Sequence, residues 1–150
     1  MTLVVLLDSG PLGLLCAPIK SSGSAADCAK WLAGLLSKGT RVIVPEIADY
    51  EVRRELLRAG KSSSIVRLDA LAAATEYLPI TMAAMKMAAD LWAGARRAGK
   101  PTASDKAIDG DVILAAQALG LGIPAAVIAT NNVGHLSRFV SAKDWTTVTA

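Results

Sequence analysis

The chain has 150 residues, of which 53% are hydrophobic and 4% aromatic, and it carries a formal net charge of +3. This length suits one compact domain with a sizeable core, and a composition rich in aliphatic and poor in aromatic residues disfavours an all-β sandwich. The mild positive charge is compatible with a polyanionic partner but does not require one.

No segment has the properties of a signal peptide or a membrane span. The apolar N-terminal run lacks a basic region and is interrupted by Asp8, and the uncharged run 112–132 is broken by glycines and a proline. We therefore expect a cytoplasmic protein with a single domain over residues 1–150. Cys16 and Cys28 have no metal-ligand spacing, which favours two buried free thiols.

The predicted elements alternate between apolar strands and helices. Uninterrupted aliphatic and β-branched strands that alternate with helices predict an α/β fold, in which a central parallel sheet of about four to five strands is flanked by helices. In chain order we predict a strand at 3–7, a short helix to residue 16, a loop at 18–24, a helix at 25–37, a strand at 41–44, a helix at 47–59, a helix from 62 to about 77, a strand at 78–80, a helix at 82–98, a loop at 100–108, a helix from 109 or 110 to 119, a strand at 125–129, a turn at 131–137 and a strand at 146–148.

Acidic residues lie close to the ends of these strands, where open parallel sheets bind their ligands. Asp8 directly follows the first strand, and Glu51 lies on the helix that leaves the second. Asp109 and Asp111 begin the predicted helix that leads into the strand at 125–129. Each acid also has a structural interpretation. Asp8 can start a turn, Glu51 can be a solvated helix residue, and the other two can cap a helix.

Several carboxylates gathered at one place indicate a divalent cation, because otherwise their mutual repulsion raises their pKa values. Oxygen ligands favour Mg²⁺ or Mn²⁺ over zinc. Such a cation lowers the pKa of a bound water, orients it for attack on a phosphodiester and offsets the charge of the transition state. The acids therefore predict metal-assisted phosphodiester hydrolysis.

Four segments resemble, in the same order along the chain, the motifs of PIN domains, in particular the VapC-like toxins of bacterial type II toxin–antitoxin pairs. In this resemblance Asp8, Glu51 and Asp111 take the first three acid positions. The segments are VVLLDSG at 4–10, PEIADYEVRREL at 45–56, GKP followed by DGDVILAAQA between 99 and 118, and VIATNNV at 127–133.

The resemblance implies a PIN-like fold, dependence on Mg²⁺ or Mn²⁺, an RNA substrate, a small antitoxin partner and commonly a homodimer. It implies an endoribonuclease in which Asp8, Glu51 and Asp111 hold the metal ion and carry catalysis together with Asn132. Thr130 and Ser9 are expected in supporting roles.

The chain departs from the family pattern after the last motif. Asn132 stands where many relatives carry a fourth Asp, and His135 replaces another common acid. Asn132 can orient water or the scissile phosphate but brings no charge. We hypothesise that Asp109 compensates as an additional metal ligand. His135 is interpreted as a structural or surface residue, because the proposed chemistry needs no further base.

A basic stretch accompanies Glu51 along the chain. Its members are Arg53, Arg54, Arg58 and Lys61. They are predicted to contact RNA phosphates or an acidic antitoxin segment. A solvated helix face that offsets nearby glutamates explains them equally well.

Two other functions are considered. A catalytically degenerate PIN-like module that binds only RNA or protein is compatible with the missing fourth carboxylate, and metal binding distinguishes it from an active nuclease. A phospho-acceptor receiver domain also has an acid after its first strand. It needs a paired acid before that position and a Lys after a late strand, and neither is present.

Overall fold

The computed structural model describes residues 3–99 and 105–150. Within them the chain forms a five-stranded sheet in which every strand pair is parallel. This confirms the predicted α/β architecture. The elements are β1 (Val4–Leu7), α1 (Ser9–Cys16), a 3₁₀ turn (Ile19–Ser21), α2 (Gly23–Ser37), β2 (Arg41–Pro45), α3 (Glu46–Arg58), α4 (Ser62–Ala74), β3 (Glu76–Leu78), α5 (Met82–Arg97), α6 (Asp105–Gly120), β4 (Ala126–Thr130), α7 (Val133–Leu136), β5 (Ala142–Asp144) and a second 3₁₀ turn (Trp145–Thr147).

The strand order is β3-β2-β1-β4-β5, so the chain winds outward in both directions from the β1–β4 pair. The register pairs Val4 with Ala126 and Leu7 with Ala129. Consequently β1 and β4 end at the same height, and the connections leaving them diverge. Such a topological switch point opens a crevice at the carboxyl edge of the sheet.

Both faces of the sheet are covered, which explains why the strands show no alternation of polar and apolar residues. Val5 and Leu7 point into a core formed with helices α1 to α4, whereas Val4 and Leu6 point into a second core formed with α3, α6 and α7. All four side chains are at most 2% exposed. The two cores hold β1, and hence the residue that follows it, rigidly in the centre of the molecule.

The prediction of a final strand at 146–148 is wrong. The fifth strand is Ala142–Asp144, and a 3₁₀ turn follows it. The carboxylate of Asp144 accepts hydrogen bonds from the backbone N–H and the hydroxyl of Thr146, at 3.0 and 2.6 Å. These local bonds fold the Thr-rich segment back on itself, although its β-branched residues favour a strand.

The loop predicted at 100–108 is also wrong over its second half, because α6 begins at Asp105; residues 100–104 lie outside the described residues. Asp109 and Asp111 are therefore inside the helix, and the interpretation of these two acids as N-terminal caps fails. The sequence Asp-Gly-Asp resembles a helix start, but Gly110 has a different role that is described below.

Smaller differences affect other boundaries. The strand predicted at 78–80 lies at Glu76–Leu78, so the preceding helix ends at Ala74 and not near residue 77. The region predicted as a turn at 131–137 contains the one-turn helix α7. In the loop predicted at 18–24, the 3₁₀ turn forms and α2 begins at Gly23.

Both cysteines are free and buried, as predicted. Burial raises the pKa of Cys16 to about 11 and that of Cys28 to about 12, so both remain thiols at neutral pH. Among the described residues, no helix is both long and apolar enough to cross a membrane.

Candidate active site

Asp8 and Thr130 form the floor of the crevice at the switch point. Each follows or ends one of the two central strands, and the hydroxyl of Thr130 donates to Oδ2 of Asp8 at 2.6 Å. The other carboxylate oxygen, Oδ1, accepts from the backbone N–H of Ser9 at 2.7 Å, which caps α1. Asp8 therefore has two roles. It caps α1, in line with its structural interpretation, and it places a carboxylate in a fixed orientation at the ligand-binding edge of the sheet.

Glu51 reaches the crevice from α3, where it is partly buried. Its carboxylate lies directly against Gly110 of α6, and a Cβ atom at that position would be 2.7 Å from Oε2. A glycine in the middle of a helix normally destabilises it. Here the missing side chain leaves the space in which the Glu51 carboxylate rests, one residue before Asp111.

Gln117 holds α3 and α6 at this close approach. Its buried side-chain oxygen accepts from the backbone N–H of Ile47 at 3.3 Å, and its amide nitrogen donates to the carbonyl of Leu78 at 2.8 Å. Because one side chain joins α6 to the start of α3 and to β3, the separation between the Glu51 and Asp111 helices is fixed.

Asp111 enters the site from the second turn of α6 and meets His135 of α7. Oδ2 of Asp111 lies 3.4 Å from Nδ1 of His135, and the amide nitrogen of Asn132 lies 3.0 Å from the same ring nitrogen. The backbone N–H of Asn132 also donates to the Thr130 hydroxyl at 2.9 Å. Asn132 and His135 therefore connect the Asp8–Thr130 pair to Asp111 through a chain of polar contacts.

The negative charge of Asp8 acts on the carboxyl groups of both Glu51 and Asp111. Burial raises the pKa of Glu51, and the negative charges of Asp8 and Asp111 raise it further, while Arg54 opposes the shift. Burial and the charge of Asp8 likewise raise the pKa of Asp111, against the effects of His135 and Arg138. Mutual repulsion of this kind is the electrostatic condition that a bound cation relieves.

The side chains of the crevice resemble Mg²⁺ or Mn²⁺ ligands in chemistry but not in spacing. In the described part of the chain, no three acidic, thiol or imidazole side chains stand close enough to surround one ion as they are arranged. The donor chemistry nevertheless fits, since the groups are oxygen ligands of like charge on three elements that converge on one crevice. The space left by Gly110 for the Glu51 carboxylate is consistent with the same conclusion.

Asp109 does not join this group in the structure. It is exposed and lines an open apolar cavity between α5 and α6, beside Met85 and Trp92. Its role as an additional ligand stays a prediction, and its position on the other face of α6 does not favour it.

The four predicted basic contact residues separate into distinct environments. Arg53 forms ion pairs with Asp49 at 3.0 Å and with Asp69 at 2.7 Å. Arg58 pairs with Glu55 at 2.9 Å on the surface, and Lys61 lies in the turn between α3 and α4. Of these four residues, Arg54 is the one whose charge lowers the pKa of the Glu51 carboxyl group.

His135 and Arg138 lie at the site, although His135 was interpreted as a structural or surface residue and Arg138 was not considered. The sequence indicates His135 through the family position of an acid that it replaces, and both residues through their spacing after Thr130, at residues 5 and 8 beyond it. That spacing brings them back to the crevice only because α7 makes a single helical turn directly after β4, a feature that the sequence did not reveal.

Comparisons with known proteins agree with this architecture. The family model described as PIN domain matches residues 14–138, which include Glu51 and Asp111 but not Asp8. The sequence matches no curated protein. Several solved structures share the fold at low sequence identity. Among them are VapBC2 from Rickettsia felis bound to a DNA fragment from their promoter (TM-score 0.71, 16% identity, 95% of this chain and 99% of that chain), VapBC-1 from nontypeable Haemophilus influenzae (0.69, 20%, 97% and 100%) and FitAcB from Neisseria gonorrhoeae (0.71, 19%, 96% and 99%).

Proposed function

The chain belongs to the PIN domain family, whose members are nucleases, and we propose that it is a metal-dependent endoribonuclease of the VapC-like toxin type. The observation that carries the proposal is the convergence of Asp8, Glu51 and Asp111 on the crevice at the topological switch point. Burial and like-charge repulsion raise the pKa values of two of these acids. Separate structural roles for the three acids do not account for this convergence.

Asp8, Glu51 and Asp111 are the residues that would hold Mg²⁺ or Mn²⁺. When bound, the ion would supply a water of lowered pKa and would offset negative charge on the phosphate. The carboxylate of Asp8 is held in place by Thr130 and by the backbone of Ser9, which keeps its orientation fixed while substrate binds.

Asn132 and His135 form a polar pair beside Asp111. In our proposal the Asn132 amide orients the attacking water or a phosphate oxygen, and the His135 ring supports that amide from Nδ1. One ring nitrogen cannot accept from Asn132 and donate to Asp111 in the same tautomer, so His135 serves one of them at a time.

The partners are part of the proposal. The similar structures of Rickettsia felis and Haemophilus influenzae are VapBC proteins. By analogy we propose a small antitoxin that binds this chain, a homodimeric toxin and a cytoplasmic location.

A degenerate module that binds RNA or protein without cleaving it is the second candidate. The observation that favours it is the separation of the described carboxylates, together with the neutral Asn132 in place of a fourth acid. Calorimetric titration with Mn²⁺ separates the two candidates. We expect binding to the wild type and much weaker binding to Asp8→Asn, with Glu55→Gln as a control on the surface of α3. Absence of Mn²⁺ binding by the folded wild type would favour the degenerate module.

The nuclease itself is tested by incubating the protein with a pool of structured and single-stranded RNA in Mg²⁺, in Mn²⁺ and in EDTA. Cleavage that requires either ion and is lost in Asp8→Asn supports the proposal. Cleavage that persists in EDTA would assign the activity to another mechanism or to a contaminant.

A further inference from the structure

Two arginines stand beside the carboxylates, and each lies over an aromatic ring. Arg54 follows Glu51 by three residues on α3, and its Cζ atom is 5.2 Å from the centre of the Tyr50 ring. Arg138 lies just beyond α7, and its Cζ atom is 5.1 Å from the centre of the Phe139 ring. Contact with a ring restricts a guanidinium while leaving its N–H donors available.

The two arginines adjoin different acids of the site. Arg54 is one helical turn from Glu51 and offsets part of the repulsion on that carboxylate. Arg138 donates from Nε to the carbonyl of His135 at 3.4 Å, and the His135 ring is the neighbour of Asp111. One cation therefore accompanies the acid of α3 and the other accompanies the acid of α6.

Neither guanidinium is within ion-pairing distance of a carboxylate in the described part of the chain, unlike those of Arg53 and Arg58. Both side chains are exposed. Tyr50 is exposed as well, with 56% of its surface accessible, and it follows the buried Asp49 on the outer side of α3. The pattern is a positively charged margin on each side of an acidic centre.

We propose that Arg54 and Arg138 bind the phosphates on the two sides of the bond to be cleaved, so that single-stranded RNA crosses the crevice from α3 to the segment after α7. This rests on the proposed nuclease function. A polynucleotide bound at the carboxylates carries further anionic phosphates in both directions, and a nearby cation stabilises each of them. An isolated phosphate would use only one cation, so cations on both sides of the acidic centre favour a polynucleotide.

An acidic protein segment is the other polyanion that could use these arginines. RNA is favoured because the acidic centre separates the two arginines. An acidic peptide that contacted both arginines would have to pass these carboxylates, and it has no group that would bind there. The exposed ring of Tyr50 beside Arg54 also suits the unpaired bases of a single strand.

The test measures binding of a fluorescently labelled single-stranded RNA of mixed sequence by anisotropy, in EDTA and over a series of salt concentrations. We expect Arg54→Ala and Arg138→Ala each to weaken binding roughly tenfold, because each loses one charged hydrogen-bond donor to phosphate. Each substitution is also expected to reduce the slope of log K against log salt by about 0.7.

Matched controls separate these contacts from general charge effects. Arg41→Ala removes the same charge at the start of β2, on the opposite edge of the sheet, and is expected to leave binding and slope unchanged. Tyr50→Phe keeps the ring under Arg54 and is expected to bind like the wild type, whereas Tyr50→Leu weakens binding. Thermal unfolding of every variant verifies that it is folded.

Wild-type affinity and slope in both arginine variants, or losses equal to that of Arg41→Ala, would overturn the proposal. Retained RNA binding together with lost binding of a labelled polyglutamate peptide would overturn it in favour of an acidic protein segment. Cleavage of the RNA by the wild type in Mn²⁺ is measured in parallel. A wild type that fails to cleave, yet binds RNA through both arginines, contradicts the nuclease function and supports the RNA path.

Discussion

Glu51 illustrates how a functional group at this site opposes folding. Burial and the charge of Asp8 raise its pKa above the ordinary value of 4.5. An acid whose pKa is raised in the folded state binds more protons when folded than when unfolded, so stability falls as pH rises from the ordinary value through the folded value. At neutral pH the whole of this destabilisation is present.

We therefore predict that Glu51→Gln raises the Tm of the metal-free protein at neutral pH by about 2 °C. The gain is expected to vanish below the ordinary glutamate pKa, where Glu51 is protonated in both states. Calorimetric melting over a pH series makes the measurement. Glu55→Gln is the control, because Glu55 is exposed and pairs with Arg58. A Tm at or below the wild-type value in Glu51→Gln at neutral pH would contradict the electrostatic account.

Gly110 gives a second prediction at the residue scale. In Gly110→Ala the added Cβ meets Oε2 of Glu51 at 2.7 Å, and the end of that side chain yields more easily than the two helices do. Displacing the Glu51 carboxylate, which we propose as a metal ligand, by about an ångström is expected to reduce metal-dependent cleavage roughly a hundredfold, with little loss of stability. The cleavage rate and the Tm of Gly110→Ala are each compared with those of the wild type, using the same preparation of each protein.

Gly94→Ala is the matched control, since a Cβ at that position in α5 has nothing within 4 Å. It is expected to gain up to about 1 kcal/mol from improved helix propensity and to keep full activity. Equal activity in the two alanine variants would show that Glu51 does not depend on the space at Gly110.

At the scale of elements, α3 is fixed to its neighbours by polar side chains that are not part of the crevice. The buried carboxylate of Asp49 accepts from Arg53 at 3.1 Å and from the Tyr77 hydroxyl of β3 at 2.8 Å. Arg53 also donates to Asp69 of α4 at 2.7 Å. Asp49 and Arg53 together therefore link α3 to β3 and α4, which explains the place of Arg53 in the basic stretch without an RNA contact.

Arg53→Ala is expected to destabilise the protein by about 2 kcal/mol, since it leaves the buried Asp49 without its cation. Arg58→Ala removes only an exposed pair with Glu55 and is expected to cost less than about 0.5 kcal/mol. Urea unfolding of the two variants provides the comparison. Similar midpoints in both would contradict the structural role that we assign to Arg53.

At the scale of the whole molecule, the parallel sheet was predictable because its central strands are apolar on both faces. The positions of Asp8 and Thr130 were predictable as well, because they immediately follow or end such strands. By contrast, β5 has the sequence Ala-Lys-Asp, which has no strand preference and pairs only because β4 provides an edge.

The rest of the site depends on contacts between elements that are distant in sequence. The start of α6 was misplaced because Asp109, Gly110 and Asp111 resemble a helix N-terminus until the contact of Gly110 with Glu51 is known. His135 and Arg138 reach Asp111 only through the single turn of α7. Local propensity contains no information about either contact, and tertiary packing determines both.

The most direct test of the account is single-turnover cleavage of RNA in Mn²⁺ by Asp111→Asn and Asp109→Asn, two variants that remove one charge each from the same helix, two residues apart. We predict that Asp111→Asn loses at least about a hundredfold in rate, whereas Asp109→Asn, whose side chain lies beside α5, retains wild-type activity. Equal losses would place Asp109 among the metal ligands. Full activity in Asp111→Asn would contradict the assignment of the site.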